Sequence, residues 1–243
     1  MKLDYSRHYR RWHSDSPEQE AALLRHYSRV LNGMLPADKS ARIVDVGCGM
    51  GRALLALKSL GYSNLCGLEY DEGQAAYCRS KGLEVELTQD TPGALRRRVQ
   101  SFDLVLCMDV LEHIPHDAQL DFVTAIHEAL KPGGKLICTV PNANSALAMH
   151  WRYIDWTHHD SFTESSLDFL LYNGGFKDIS IGPVEFLTRP KWWWLPIGGS
   201  RHWWLFRLVR LWQRLVFMAE LGPQAGRTVP LSLNLLGQAT KAR

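Results

Sequence analysis

Acidic residues almost vanish from the last quarter of this sequence. From Leu187 to Arg243 there is one, Glu220, against nine lysines and arginines, whereas the first 186 residues hold 24 acids and 19 bases. The overall charge of +3 is thus the sum of a basic C-terminal stretch at +8 and an acidic body at −5. No basic patch is evident outside that stretch, so nucleic acid is not expected as a partner. Cysteine is sparse too. Cys48, Cys66, Cys78, Cys107 and Cys138 stand far apart with no CxxC pair, which argues against a disulfide framework and a zinc knuckle and fits a reducing compartment. Repeats and low-complexity tracts are missing, and the opening MKLDYSRHYRRWHSDSPEQE lacks the apolar centre of a signal peptide. A cytoplasmic location is expected.

What is present is an ordinary globular composition, 46% hydrophobic and 22% charged over 243 residues, enough for one large domain or one domain with an insertion. Residues 17–34 have helical spacing of apolar positions. ARIVDVG, NLCGLEY, VELTQD, SFDLVLCMDV and KLICTVPN then read as five strands. RALLALKSLG, EGQAAYCRSKG and DAQLDFVTAIHEALKPGG read as helices, the last closed by Pro-Gly-Gly. A Trp/His-rich connection (151–162), the helix SSLDFLLYNG, the strand FKDISIGPVEF and a closing strand LSLNLLGQATK follow. Such alternation predicts an α/β fold, an open, doubly wound parallel sheet with helices on both faces and its ligand beyond the carboxyl ends of the strands. The boundaries expected are an N-terminal helix and lid (1–39), a core (40–187), an insertion (188–228) and the closing strand (229–243).

VDVGCGMG places Asp45, Gly47, Cys48, Gly49 and Gly51 at the end of the first strand, where glycine lets the backbone turn sharply and approach a ligand. A dinucleotide fingerprint would want glycine or alanine where Arg52 stands, which argues against nicotinamide cofactors. Arg52 can instead be a surface residue or the start of a helix. Glu69 closes the second strand, where a carboxylate can accept both ribose hydroxyls.

DVGCGMG, GLEYD, FDLVLCMDVLEHIP and ALKPGGKLICTVPN, in this order, resemble class I S-adenosylmethionine-dependent methyltransferases over roughly residues 40–145. The resemblance implies a Rossmann-like seven-stranded sheet whose last strand runs antiparallel between the fifth and sixth. It implies S-adenosyl-L-methionine as cofactor, with Asp45 and the glycine backbone on its methionine end and Glu69, beside Tyr70, on the ribose. By the same resemblance Asp90 and Thr91 meet the adenine, and Met108 with Asp109 lines the cofactor near the methyl group. CMDVLEHIP is most similar to ubiquinone-type O-methyltransferases and glycan-cluster methyltransferases. THHDSFTESSL (157–167) is similar to a stretch of the first group but lacks its helix-opening proline.

Methyl transfer from a sulfonium is an in-line displacement, so the protein chiefly aligns nucleophile, carbon and sulfur. An oxygen acceptor also needs a base, and the candidates are His113 after the fourth strand and His158, His159 and Asp155 after the fifth, with His150 and Asp160 nearby. Each histidine can equally pack or hydrogen-bond a loop. His and carboxylate types also suit a divalent metal, but their spacing matches no standard site, and none is expected. His26, His116 and His127 read as solvated. Tyr5, Tyr9 and Trp12 can form an aromatic lid or anchor the terminus.

The segment 192–220 carries six of the nine tryptophans. On a helix from Trp203 to Glu220, Arg207, Arg210, Gln213 and Arg214 fall within about 120° of one another and apolar side chains fill the rest. Too short and charged to span a bilayer, it fits a helix lying in the membrane interface with its arginines toward anionic headgroups. A dimer contact, giving a homodimer, or an internal lid are the alternatives.

Overall fold

The computed structural model describes residues 17–184, 187, 189–194 and 199–243, so Tyr5, Tyr9 and Trp12 lie outside the described residues. The elements run α1 (Pro17–Leu31), β1 (Ile43–Val46), α2 (Arg52–Ser59), β2 (Leu65–Glu69), α3 (Glu72–Ser80), β3 (Val85–Leu87), α4 (Thr91–Arg96) and β4 (Phe102–Met108). After a 3-10 turn (Leu111–His113) come α5 (His116–Ala129), β5 (Leu130–Pro141), α6 (Ala148–Ile154), α7 (Glu164–Asn173), β6 (Lys177–Val184), α8 (Gly199–Leu221), α9 (Pro223–Thr228) and β7 (Asn234–Thr240).

The seven strands form one sheet in the order β3-β2-β1-β4-β5-β7-β6. Pairs among β1 to β5 are parallel, and β7 lies antiparallel between β5 and β6. Strand order reverses between β1 and β4, which opens a crevice outside their carboxyl ends.

The near-continuous apolar strands follow from burial on both faces. Alternate side chains point to opposite sides, so Ile43, Leu104, Leu106 and Ile137 pack with Leu31 of α1 and Ala53 and Leu57 of α2. Their neighbours Val44, Val105, Leu136 and Cys138 pack on the other face with Phe122 and Ile126 of α5 and Leu167 and Leu171 of α7. Each buried valine, leucine, isoleucine or phenylalanine among them contributes about 1.5–3 kcal/mol.

Several local expectations change. The helix before the fifth strand ends at Ala129, not at Pro-Gly-Gly, because the Lys241 ammonium takes the carbonyls of His127 and Leu130, both at 2.8 Å, and closes it there. Pro132, Gly133 and Gly134 therefore lie in β5, where Gly133 has φ 77° and the register to β4 shifts. TPGALR forms the helix α4, capped by Asp90. Part of the Trp/His-rich connection coils as α6. Thr163 and Ser166 form a capping box at α7, doing the work of the missing proline. Arg52 is buried as the first residue of α2. His26 and His127 are half-buried, and burial lowers the pKa of each.

The insertion is a helical hairpin rooted at the carboxyl edge of the sheet. Val184 ending β6 pairs with Asn234 opening β7, and Asn234 pairs with Pro141 ending β5. Buried Asn142 fastens the root, its amide donating to the carbonyls of Pro230 (2.9 Å) and Ser232 (2.8 Å). The arginine stripe expected to face headgroups is partly turned inward. Arg214 donates to the carbonyls of Gly226 and Val229 beside α9, at 2.6 and 2.7 Å, and Arg210 donates to Gln213. Apolar side chains take the outside: Leu208 is 64% and Trp212 67% exposed. At the start of α8, the Trp204 indole donates to the Trp193 carbonyl (2.8 Å) and Ser200 to that of Trp192 (2.8 Å).

Candidate active site

The loop between β1 and α2 is shaped by backbone conformations that favour glycine. Gly47, Gly49 and Gly51 all have positive φ (66°, 55° and 70°). A Cβ on Gly47 would lie 2.7 Å from Val110 Cγ2, and one on Gly51 2.4 Å from Leu83 Cδ1. The N–H groups of Gly47 and Cys48 both donate to the Leu68 carbonyl at the end of β2. Glu69 then clamps the loop from the same strand end. Its Oε2 accepts the Gly49 N–H at 2.7 Å and its Oε1 the Asp71 N–H at 2.8 Å. Cys78, on α3, adds a thiol that donates to the Gly49 carbonyl at 3.1 Å. Its part in the loop was invisible in the sequence, because only packing brings α3 beside the glycines.

Asp45 is buried at the end of β1, and its Oδ1 has no hydrogen-bond partner among the described residues. Burial, reinforced by the nearby Glu69 charge, pushes its carboxyl up to about 8. Burial also raises Glu69, against the pull of N–H groups from Asp71, Gly49 and Tyr70. An orphaned buried carboxyl beside bare glycine backbone fits a ligand that brings positive charge. Tyr70 is exposed at the mouth, as is Asp90, whose Oδ1 accepts the Gly93 N–H at 2.9 Å with Thr91 following it. Met108 is half-buried against the core between β1 and α2. Asp109 has φ 56° and its carboxylate turns toward β5 and β7, accepting from Thr139 (3.0 Å) and Asn234 (2.7 Å).

Val110 touches the glycine loop, and the chain runs straight on into the 3-10 turn. There a polar cluster forms. Thr157 donates its hydroxyl to Asp155 Oδ1 at 2.7 Å and stands 2.8 Å from His113 Nδ1. The single hydroxyl proton goes to the carboxylate, so His113 Nδ1 carries the proton it shares with Thr157. His158 Nδ1 lies 2.7 Å from the Trp151 carbonyl, which only accepts, so the neutral ring keeps its lone pair on Nε2. The two imidazoles meet edge to face at 4.6 Å. Burial pushes Asp155 up, but the bonds from Thr157 and the neighbouring His113 and His158 outweigh it and hold the carboxyl below its usual range.

Glu112 was not singled out from the sequence, yet it is buried in this cluster with Oε2 unpartnered among the described residues. Burial, then the charges of Asp109 and Asp155, hold it well above the usual carboxylate range. One ligand atom each from Glu112, His113 and His158 lies within 4.8 Å of the others, a donor set suited to a divalent cation. Spacing did not reveal it because His158 comes from a different segment than the adjacent Glu112 and His113. His159 stands apart: its side chain is exposed and its backbone N–H donates to the Glu112 carbonyl. His150 is exposed too.

A sheet with one antiparallel strand, a glycine loop at its switch point and an acid closing β2 define the class I S-adenosylmethionine-dependent methyltransferases. Residues 14–181 match a family described as "methyltransferase domain", and the chain belongs to it. The chain is similar to the ubiquinone biosynthesis O-methyltransferases of Ruegeria pomeroyi (36% identical over 107 residues, 42% of each chain). It is similar to that of Dinoroseobacter shibae as well (35% over 122 residues, 49% of this chain and 48% of the other). The match spans less than half the length of either relative. Among solved structures, an S-adenosylmethionine-dependent methyltransferase from Archaeoglobus fulgidus superposes with a TM-score of 0.68 at 21% identity, covering 98% of this chain and all of that one. Phosphoethanolamine N-methyltransferase 2 of Haemonchus contortus, in complex with S-adenosyl-L-methionine, gives 0.56 at 16%, covering 94% and 53%. At such identities the likeness is one of fold.

Proposed function

We propose that this protein transfers the methyl group of S-adenosyl-L-methionine to an oxygen of an amphiphilic acceptor, such as a lipid-linked glycan, at a membrane surface. Asp45 and the glycine backbone hold the methionine end of the cofactor, Glu69 the ribose, and Asp90 with Thr91 the adenine. When bound, the cofactor supplies a methyl already activated by its sulfonium. What the chain adds is alignment and a base. His158 takes the acceptor proton on Nε2, held in that tautomer by the Trp151 carbonyl, while Asp155 stabilises positive charge in the histidine pair. The observation that carries oxygen as the methylated atom is this cluster, in which Asp155 and His158 meet His113 just beyond the loop touching the glycines. The ubiquinone biosynthesis relatives, which are O-methyltransferases by name, support it.

Labelled cofactor incubated with the protein and a membrane extract should give a lipid-extractable product. His158→Ala should lower turnover by about 10²–10⁴-fold while leaving cofactor affinity unchanged. Label confined to water-soluble small molecules or protein would refute the acceptor class.

A second reading is favoured by the Glu112, His113 and His158 donor set. There these residues hold a divalent cation that lowers the pKa of the acceptor hydroxyl. Turnover restored by a divalent ion after chelation would select it over the unaided base.

A further inference from the structure

Helices in water turn apolar residues inward; α8 keeps Trp203, Phe206, Phe217 and Met218 half-buried but leaves a broad apolar face outside. Arg210, Arg214 and Gln213 lie on its half-buried side, whereas Trp204, Leu205, Leu208, Leu211, Trp212 and Leu215 are exposed. Contiguous exposed apolar surface of this kind marks an interaction site. We propose that this outward face, with the Trp192–Trp194 turn, lies in the interface of a bilayer containing anionic lipid and holds the carboxyl edge of the sheet toward the headgroups. The inference rests on the membrane-surface reading above and names the surface, its orientation and the lipid charge it requires.

Charge selects the occupant. No acid occurs from Leu187 to Ala219, and the cations lie over aromatic rings: Arg189 over Trp193 (5.5 Å), Lys191 over Trp192 (5.5 Å) and Arg207 over Trp203 (5.7 Å). A second copy related by a two-fold axis would bring the exposed cations around this apolar face, Arg189, Lys191 and Arg207, against their own copies, with Glu220 alone to answer them. Anionic headgroups complement it, and tryptophan suits headgroup depth. No described helix is long and apolar enough to cross a membrane, so the contact lies in the interface plane.

Topology gives the orientation. The hairpin leaves and re-enters the sheet where Val184 and Asn234 pair, and Asn234 donates to Asp109 at the carboxyl end of β4. The root of the hairpin and the proposed methyl-transfer site thus share one edge, which suits an acceptor whose reactive hydroxyl sits at headgroup depth.

The test is sedimentation of the full chain with phosphatidylcholine vesicles, with and without phosphatidylglycerol. The protein should follow the anionic vesicles. Trp204→Ser/Leu208→Ser/Trp212→Ser should weaken binding by about tenfold or more at unchanged affinity for S-adenosylhomocysteine. Arg207→Glu, a single exposed change, should weaken binding and flatten its salt dependence. A wild type that stays in the supernatant, or a triple variant that sediments like wild type, would overturn the proposal. So would a triple variant whose only change is from dimer to monomer without lipid. Methylation of a detergent-dispersed acceptor by a protein that ignores vesicles would sink this contact and keep the methyl-transfer reading. Vesicle binding without a lipid product would do the opposite.

Discussion

Cofactor binding should expel a proton, and the source is Asp45. Its carboxyl is buried with one oxygen unpartnered among the described residues, and burial together with Glu69 raises it to about 8. At pH 7 a group with that pKa holds its proton in roughly 90% of molecules. S-adenosylmethionine brings ammonium and sulfonium charge, and an opposite charge close by lowers a carboxyl by about 1–3 units. Binding at pH 7 should then release about 0.4–0.9 proton, and affinity should rise about 2.5- to 8-fold per pH unit near neutrality. In the ligand-free protein the same group makes stability fall as pH rises from about 4 to about 8. Over that window the unfolded chain gives up the proton and the folded one retains it, at ~1.4 kcal/mol per unit. Calorimetric titrations at pH 7 in buffers of high and low ionisation enthalpy measure the release directly, and Asp45→Asn should abolish it. Equal heats in the two buffers, or undiminished release from the asparagine variant, would refute the assignment of a neutral Asp45.

Gly51→Ala should cost about 1–3 kcal/mol, because φ is 70° and the new methyl would meet Leu83 at 2.4 Å; thermal melts with and without cofactor would show both the loss of stability and a weaker ligand-induced shift. Asn142→Ala should destabilise by about 2–4 kcal/mol by stripping the Pro230 and Ser232 carbonyls of their donor, with faster proteolysis of the 185–233 stretch; a variant cleaved no faster than wild type there would contradict the clamp.

The glycine loop and its acid were readable because they are local. Asp45, Gly47, Gly49 and Gly51 follow one another along a strand end, and Glu69 closes the next strand, so one βαβ unit fixes them all. Asp90 was legible as an acid at a strand end, but its capping of α4 was not, since TPGALR has too few residues to show a helical period. The polar cluster was half readable. His113, Asp155 and His158 were named for their chemistry, His159 was grouped with them by adjacency, and Glu112 was passed over.

Sequence alone determined the alternation of strands and helices, the glycine loop with its acid, and the concentration of tryptophan and arginine before the last strand. These depend on near neighbours and on backbone preferences that each residue carries with it. Tertiary structure decided which histidine enters the cluster, that Glu112 is buried there, and that Arg210 and Arg214 turn inward while the apolar face of α8 turns out. A helical wheel fixes the angles between side chains on α8 but leaves the rotation of the helix free. Packing against α9, with Arg214 seated on two carbonyls, sets that rotation.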